Sequence, residues 1–236
     1  MLRFIITFLI SIPSILTLVW KTNYIMAHQD EYTEQDRYDF IRYFAAKLKK
    51  NAHIFTHVYG LENLPKEGGY VMYPNHQGKY DAIGIFDAHK NPCTIVVDAK
   101  RSKLLLVDQM MRVLDGVRLD SSSIRNQIEG IQKVYREVSN GRRYIIFPEG
   151  GYKDNRNNVQ EFKPGAFKCA IKAKSPIVPV ALIDSWKPFT LNSLRRVETQ
   201  IHFLEPLNYD DYKDLSTQEI AEQVRTSIVN KIAACL

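Results

Sequence analysis

The chain has 236 residues, 45% of them apolar, and its 32 Lys and Arg against 26 Asp and Glu give a net charge of +6. That length and apolar share suffice for one full hydrophobic core, and no repeat or low-complexity tract interrupts them, so a disordered chain is excluded. The cations are dispersed and come with no helix-turn-helix, zinc-finger or RNA-binding signature, which sets nucleic-acid partners aside.

From the amino end, Phe4 to Trp20 is a charge-free run broken only by Thr, Ser and Pro13. At about 1.5 Å per residue it reaches ~26 Å, short of the ~30 Å hydrocarbon layer, so it predicts an apolar helix embedded in a membrane, with a full span marginal. A secretory leader is the competing reading of residues 1–20, with only Arg3 as a basic end and no small-x-small cleavage pattern. Residues 34–50 alternate with helical period, Phe40, Ile41, Phe44, Ala45 and Leu48 on one side and Arg37, Arg42, Lys47, Lys49 and Lys50 over the rest. Residues 21–52 are therefore expected to hold an amphipathic interfacial helix and a linker, completing a membrane-associated motif that favours anionic lipid.

Residues 53–236 form the remaining domain. Strand-like runs fall near 54–58, 69–74, 94–97, 116–119, 143–147, 177–183 and 197–204, with helical patterns between them. Ile124, Ile128, Ile131, Val134 and Val138 mark a helix over 122–139 that Asn140-Gly141 ends. Pro164 suits the first turn of a helix stopped by Ser175-Pro176, and Ser216 with Glu219 makes a capping box before the last helix. The alternation predicts an α/β fold, a mixed, largely parallel sheet flanked by helices. Cys93, Cys169 and Cys235 are an odd, widely spaced set without a Cys-x-x-Cys, as in a reduced protein with no zinc site.

Two segments carry chemistry. Asn75-His76-Gln77-Gly78-Lys79-Tyr80-Asp81 directly follows the strand-like run Tyr70 to Pro74. Five residues of helix turn through about 500°, so His76 and Asp81 meet only if the segment is a loop that doubles back, for which Gly78 offers a permissive backbone. Asp81 then opens the apolar-periodic stretch Ala82, Ile83, Ile85, Phe86, as an acid in the first turn of a helix does. A carboxylate on an imidazole fixes its tautomer and favours its protonated form, which makes a general base. The second segment, Glu149-Gly150-Gly151-Tyr152-Lys153, leaves the strand-like run Arg143 to Pro148. Ligands gather at the carboxyl ends of strands in an open α/β sheet, so both segments are expected to face one crevice.

Asn75-His76 with Asp81, then Phe147-Pro148-Glu149-Gly150, then Val178-Pro179-Val180 resemble the NHxxxxD, FPEG and VPV motifs of the 1-acylglycerol-3-phosphate acyltransferases, in order and over roughly residues 53–205. Gly60-Leu61-Glu62-Asn63-Leu64-Pro65 is similar to the segment that precedes the first motif in that family. The resemblance implies an acyltransferase domain at 53–236 that moves an acyl group from an acyl thioester, acyl-CoA or acyl-ACP, to the hydroxyl of a lysophospholipid, 1-acylglycerol-3-phosphate foremost. It implies no cofactor, no metal, and a membrane-associated enzyme with its catalytic domain on the cytoplasmic side. His76 is expected as the base and Asp81 as its orienting acid, with Asn75, Arg118, Glu149, Gly150, Gly151 and Lys153 binding substrate and Glu149 holding a glycerol hydroxyl or a cation. No Gly-x-Ser-x-Gly elbow supports a covalent serine route.

The chain departs from the family pattern twice. Gly151-Tyr152-Lys153 stands where the family continues Thr-Arg-Ser, and Gly116 to Ser121 differs from its middle motif, with Arg118 and Arg125 the nearest cations. Lys153 would replace the arginine only as a point charge. These departures leave the acceptor head group open. Two other functions stay in view: a metal-dependent phosphoesterase with His76, Asp81, Asp87 and His89 as ligands, and a non-catalytic lipid-binding protein.

Overall fold

The computed structural model describes residues 2–120 and 122–236, so Met1 of the segment 1–20 and Ser121 of the middle segment lie outside the described residues. Seven strands form one sheet: β1 (Ile54–Tyr59), β2 (Val71–Pro74), β3 (Thr94–Asp98), β4 (Val117–Leu119), β5 (Tyr144–Ile145), β6 (Ile177–Ile183) and β7 (Val197–Phe203). Their order is β1-β7-β6-β2-β5-β3-β4, parallel throughout except where β6 meets β7. The expected mixed, largely parallel sheet is the one observed.

The helices are α1 (Leu2–Ile10), α2 (Ile12–Ala27), α3 (Glu34–Asn51), α4 (Asp81–Ala88), α5 (Val107–Val113), α6 (Ile124–Ser139), α7 (Lys168–Ala173), α8 (Lys187–Thr190), α9 (Tyr209–Tyr212) and α10 (Thr217–Cys235). A strand buried on both faces reads as a continuous apolar run, and β6 does so, with all seven residues buried. Val178, Val180 and Leu182 point to the layer of α3 and α4, while Ile177, Ala181 and Ile183 point to that of α6, α7 and α10. The Ser216 side chain accepts from the Glu219 amide, and the Glu219 carboxylate accepts from the Ser216 amide, closing the expected capping box of α10.

The amino end differs from its sequence reading in two ways. The apolar run is not one helix, because α1 and α2 meet at 60° around Ser11. Pro13, near the start of α2, has no N–H to continue the ladder of the preceding turn. No single helix among the described residues is long and apolar enough to cross a membrane, although the bent pair meets that test together. One side of α2 is packed, through Ile15, Leu18, Thr22 and Ile25, and the other leaves Leu16 and Trp20 exposed, as are Leu9 and Ile10 of α1.

The apolar stripe of α3 is packed inside the protein. Its stripe of Tyr38, Ile41, Phe44, Ala45 and Leu48 is buried in the same core as Ile85 and Phe86 of α4. Amphipathic spacing specifies an apolar face but not what covers it, and here the sheet domain covers it.

Candidate active site

The site stands on three adjacent strands. Because β6, β2 and β5 are neighbours and parallel, the loops after Ile183, Pro74 and Ile145 leave the same edge of the sheet and meet there. The middle loop carries His76. Its Nδ1 lies 2.7 Å from Asp81 Oδ2, and that same oxygen accepts the amides of Gln77 at 2.6 Å and Gly78 at 2.9 Å. The other oxygen, Oδ1, accepts the Ser185 hydroxyl from the loop after β6. Asp81, at the start of α4 and 1% exposed, is thus the knot of the turn. A carboxylate only accepts, so the His76 Nδ1 carries the proton and Nε2 keeps its lone pair. Nε2 has no hydrogen bond among the described residues, and the His76 side chain retains 15% exposure.

The expectation that Gly78 makes the bend is corrected. Its φ lies outside the left-handed region, and a methyl group there would meet only Trp186 Cα at 3.5 Å and Ser185 O at 3.7 Å. The two amides drawn onto Asp81 close the loop instead.

The imidazole is held in place from several directions. Phe147 stacks on it with centroids 4.1 Å apart at 27°, and Tyr152 meets it edge-on at 4.6 Å. The His76 amide donates to Glu149 Oε1 at 2.9 Å, and its carbonyl accepts from Asn155 Nδ2 at 3.0 Å. Glu149 Oε2 accepts from Gln160 Nε2. Burial pushes the Glu149 carboxyl up, against the opposing pull of the His76 amide and Gln160. Gly150, at φ +73°, takes a left-handed turn that disfavours any side chain.

Several residues expected to touch substrate do other work. Asn75 is fully buried, and its amide pairs with the Leu182 backbone, Oδ1 accepting from N at 2.7 Å and Nδ2 donating to O at 3.0 Å. It staples the end of β2 to that of β6 as a peptide group would. Glu149, expected to hold a glycerol hydroxyl or a cation, spends both oxygens on protein donors and positions the His76 backbone. Arg118 donates to Asp108 at 2.9 Å and to the Ser102 carbonyl at 2.9 Å, bracing the turn at Arg101–Lys103. Lys153 is exposed, its backbone amide bonded to Asn155 Oδ1. Gly150 and Gly151 do lie beside the histidine, in the turn that joins Glu149 to Tyr152.

Ser185, Gln160, Asn155 and Asn157 escape notice in the sequence, where each is one polar residue in a loop. Asn157 accepts from Gln77 Nε2 and from the Asp184 amide, tying all three loops together. The density of Asn and Asp over residues 154–158 is the one local hint.

The metal-ligand set does not assemble. Asp87 pairs with Lys49 on α3, and His89 turns inward, with Nε2 on the Tyr70 hydroxyl at 2.6 Å and Nδ1 on the Asn91 carbonyl at 2.7 Å. Among the described residues no three acids, histidines or cysteines group as a metal site. A recess of about 530 Å³ lined by His57, Tyr59, Asp184, Lys187 and Arg196 opens beside β1 and β7 and does not include His76. Its only acid–imidazole contact, His57 to Glu198, is long at 3.5 Å and exposed, so the paired geometry at His76 is the better place for proton transfer.

A family model described as "Acyltransferase" matches residues 55–183, which is 129 of the 236 and contains every element of the His76 turn except Ser185. The chain belongs to the acyltransferase family. This acyltransferase is 28% identical over 182 residues to a 1-acyl-sn-glycerol-3-phosphate acyltransferase from Borreliella burgdorferi, covering 74% of this chain and 70% of that one. It is 29% identical over 206 residues to the enzyme of the same name from Escherichia coli, covering 80% and 83%. The crystal structure of a 1-acyl-sn-glycerophosphate (LPA) acyltransferase from Thermotoga maritima superposes with a TM-score of 0.73 over 93% of this chain and 95% of that one, at 20% identity. That likeness speaks for the fold.

Proposed function

We propose that this acyltransferase moves a fatty acyl group from an acyl thioester, acyl-CoA or acyl-ACP, to the free hydroxyl of 1-acylglycerol-3-phosphate, giving phosphatidic acid. The curated relatives carry that activity in their names. The observation that carries the mechanism is the 2.7 Å contact between His76 Nδ1 and Asp81, which leaves the opposite ring nitrogen uncommitted. Nε2 takes the hydroxyl proton as the oxygen attacks the thioester carbonyl. Asp81 stabilises the imidazolium so formed. The tetrahedral intermediate then expels the thiolate, which recovers the proton from Nε2, so the C–S bond breaks as the C–O ester bond forms and the base is regenerated.

The exposed apolar faces of α1 and α2, with Leu9, Ile10, Leu16 and Trp20 outward, fit a seat in one leaflet, from which a lysophospholipid reaches the site without leaving the bilayer. Both candidate donors are cytoplasmic, so the catalytic domain is assigned to that side.

Thiol release from acyl-CoA or acyl-ACP, with a panel of lysophospholipids, tests the reading. Wild type is expected to release thiol only with acceptor, and His76→Ala to lose about 10²- to 10⁴-fold in rate. Near-full activity in that variant removes the assignment, and no acceptor-dependent release from wild type with either donor favours a non-catalytic lipid binder.

A further inference from the structure

The two edge strands of the sheet differ in kind. At one end β4 is three residues long and carries Arg118, features that blunt an edge against further pairing. At the other end β1 reads Ile-Phe-Thr-His-Val-Tyr, six residues without a Lys, Arg, acid or Pro, in unbroken parallel register with β7. It pairs with no other strand among the described residues. Phe55 and Tyr59 stand out from it, 45% and 49% exposed. The Val197 amide donates to the His53 carbonyl, so by alternation the odd-numbered residues of β1 turn their backbone groups to β7, while Ile54, Thr56 and Val58 turn theirs outward. These three are spaced symmetrically about Thr56.

We infer that β1 is the contact surface for a second copy of this chain, the two β1 strands pairing antiparallel about a two-fold axis through Thr56 into one continuous sheet. In that register Thr56 lies opposite Thr56, and Ile54 opposite Val58 of the second copy, so every outward N–H and C=O of the strand finds a partner. A slip of one residue would set core-facing side chains against solvent-facing ones. On the exposed face Phe55 meets His57 of the second copy, an aromatic cross-strand pair made twice. Charge agrees with this direction of pairing. Lys50 and Arg195 stand at the start of β1 and β7, and Glu62 and Glu205 just past their ends, all four exposed and without an ion pair among the described residues. Antiparallel pairing lays each basic end on the other copy's acidic end. The axis stands perpendicular to the sheet, so both α3 layers, with α2 packed in them through Ile15 and Leu18, face the same way. The exposed faces of α1 and α2 in the two copies therefore meet one bilayer together.

A ladder this short is at the small end of stable interfaces, so association is expected to depend on concentration. Light scattering on the full chain in detergent micelles is expected to show the protein mass doubling across a concentration series. Val58→Pro removes one outward N–H and no bond to β7, so it is expected to hold the monomer mass throughout with its circular dichroism unchanged. Oxidative cross-linking reads the register. On a Cys235→Ser background, Phe55→Cys and His57→Cys proteins are expected to form a disulfide dimer when mixed and not when alone, because position 55 faces position 57 and not itself. A wild type that stays monomeric over the whole series overturns the inference, as does a folded Val58→Pro protein that dimerises like wild type, or a mixture that cross-links no faster than either variant alone. A Val58→Pro protein that fails to fold leaves the mixed cross-link to decide. None of these readouts uses turnover, so failure here and failure of the acyl-transfer reading are told apart.

Discussion

Replacing Asp81 in two ways separates its charge from its role as a knot. In Asp81→Asn the amide oxygen can take the place of Oδ2, accepting from Gln77 N and Gly78 N, while its NH₂ turns to Ser185 Oγ, a hydroxyl able to accept. The loop survives, and the cost is the weakening of charge-assisted bonds to ordinary ones, about 1–2 kcal/mol. In Asp81→Ala the Gln77 amide and the Ser185 hydroxyl, each on a residue only 3% exposed, lose their acceptor together with the Gly78 amide. Stranding buried donors puts that variant about 3–5 kcal/mol below wild type. Both variants lose the negative charge beside the imidazolium, so both are expected to fall about 10²- to 10⁴-fold in rate. Urea unfolding followed by circular dichroism, with thiol release on the same preparations, measures the two effects. Asp81→Asn retaining wild-type turnover would show that the carboxylate does not serve the histidine, and Asp81→Ala as stable as wild type would show that it does not close the loop.

Three further outcomes follow from the same geometry. Asn75→Ala removes both bonds to the buried Leu182 backbone and is expected to cost about 2–5 kcal/mol, with activity lost because the histidine loop is unpinned from β6; urea unfolding and turnover measure it, and an unchanged midpoint counts against the staple. Burial pushes His89 down from 6.5 to about 4 in the folded protein, so between those pH values the unfolded chain binds the extra proton and stability falls as the medium is acidified. The loss from this group between pH 7 and pH 4 is about 3 kcal/mol, and urea titrations should show His89→Gln with a flatter profile over that window than wild type. Gly69→Ala would drive a methyl group within 2.1 Å of the Val138 carbonyl and 2.6 Å of that of Arg142, both backbone, so a marked loss of stability is expected, and a thermal midpoint equal to that of wild type would contradict the packing of α6 against β2.

The sequence by itself determined the elements and the pairing of acid with imidazole. β6 is legible as a run of apolar residues, α10 as a capping box before a stripe, and His76 with Asp81 as a pair that only a loop can join. Each is written within a few consecutive residues, because backbone period and turn chemistry are local properties. Only the tertiary structure decided that Asn75 and Glu149 hydrogen-bond within the loops, that the stripe of α3 belongs to the core, and that Ser185 comes to Asp81. Those outcomes depend on strand order: β6 and β5 flank β2 although about a hundred residues of chain separate β6 from it and about seventy separate β5, and a polar side chain's partner is whichever loop that order brings within 3 Å.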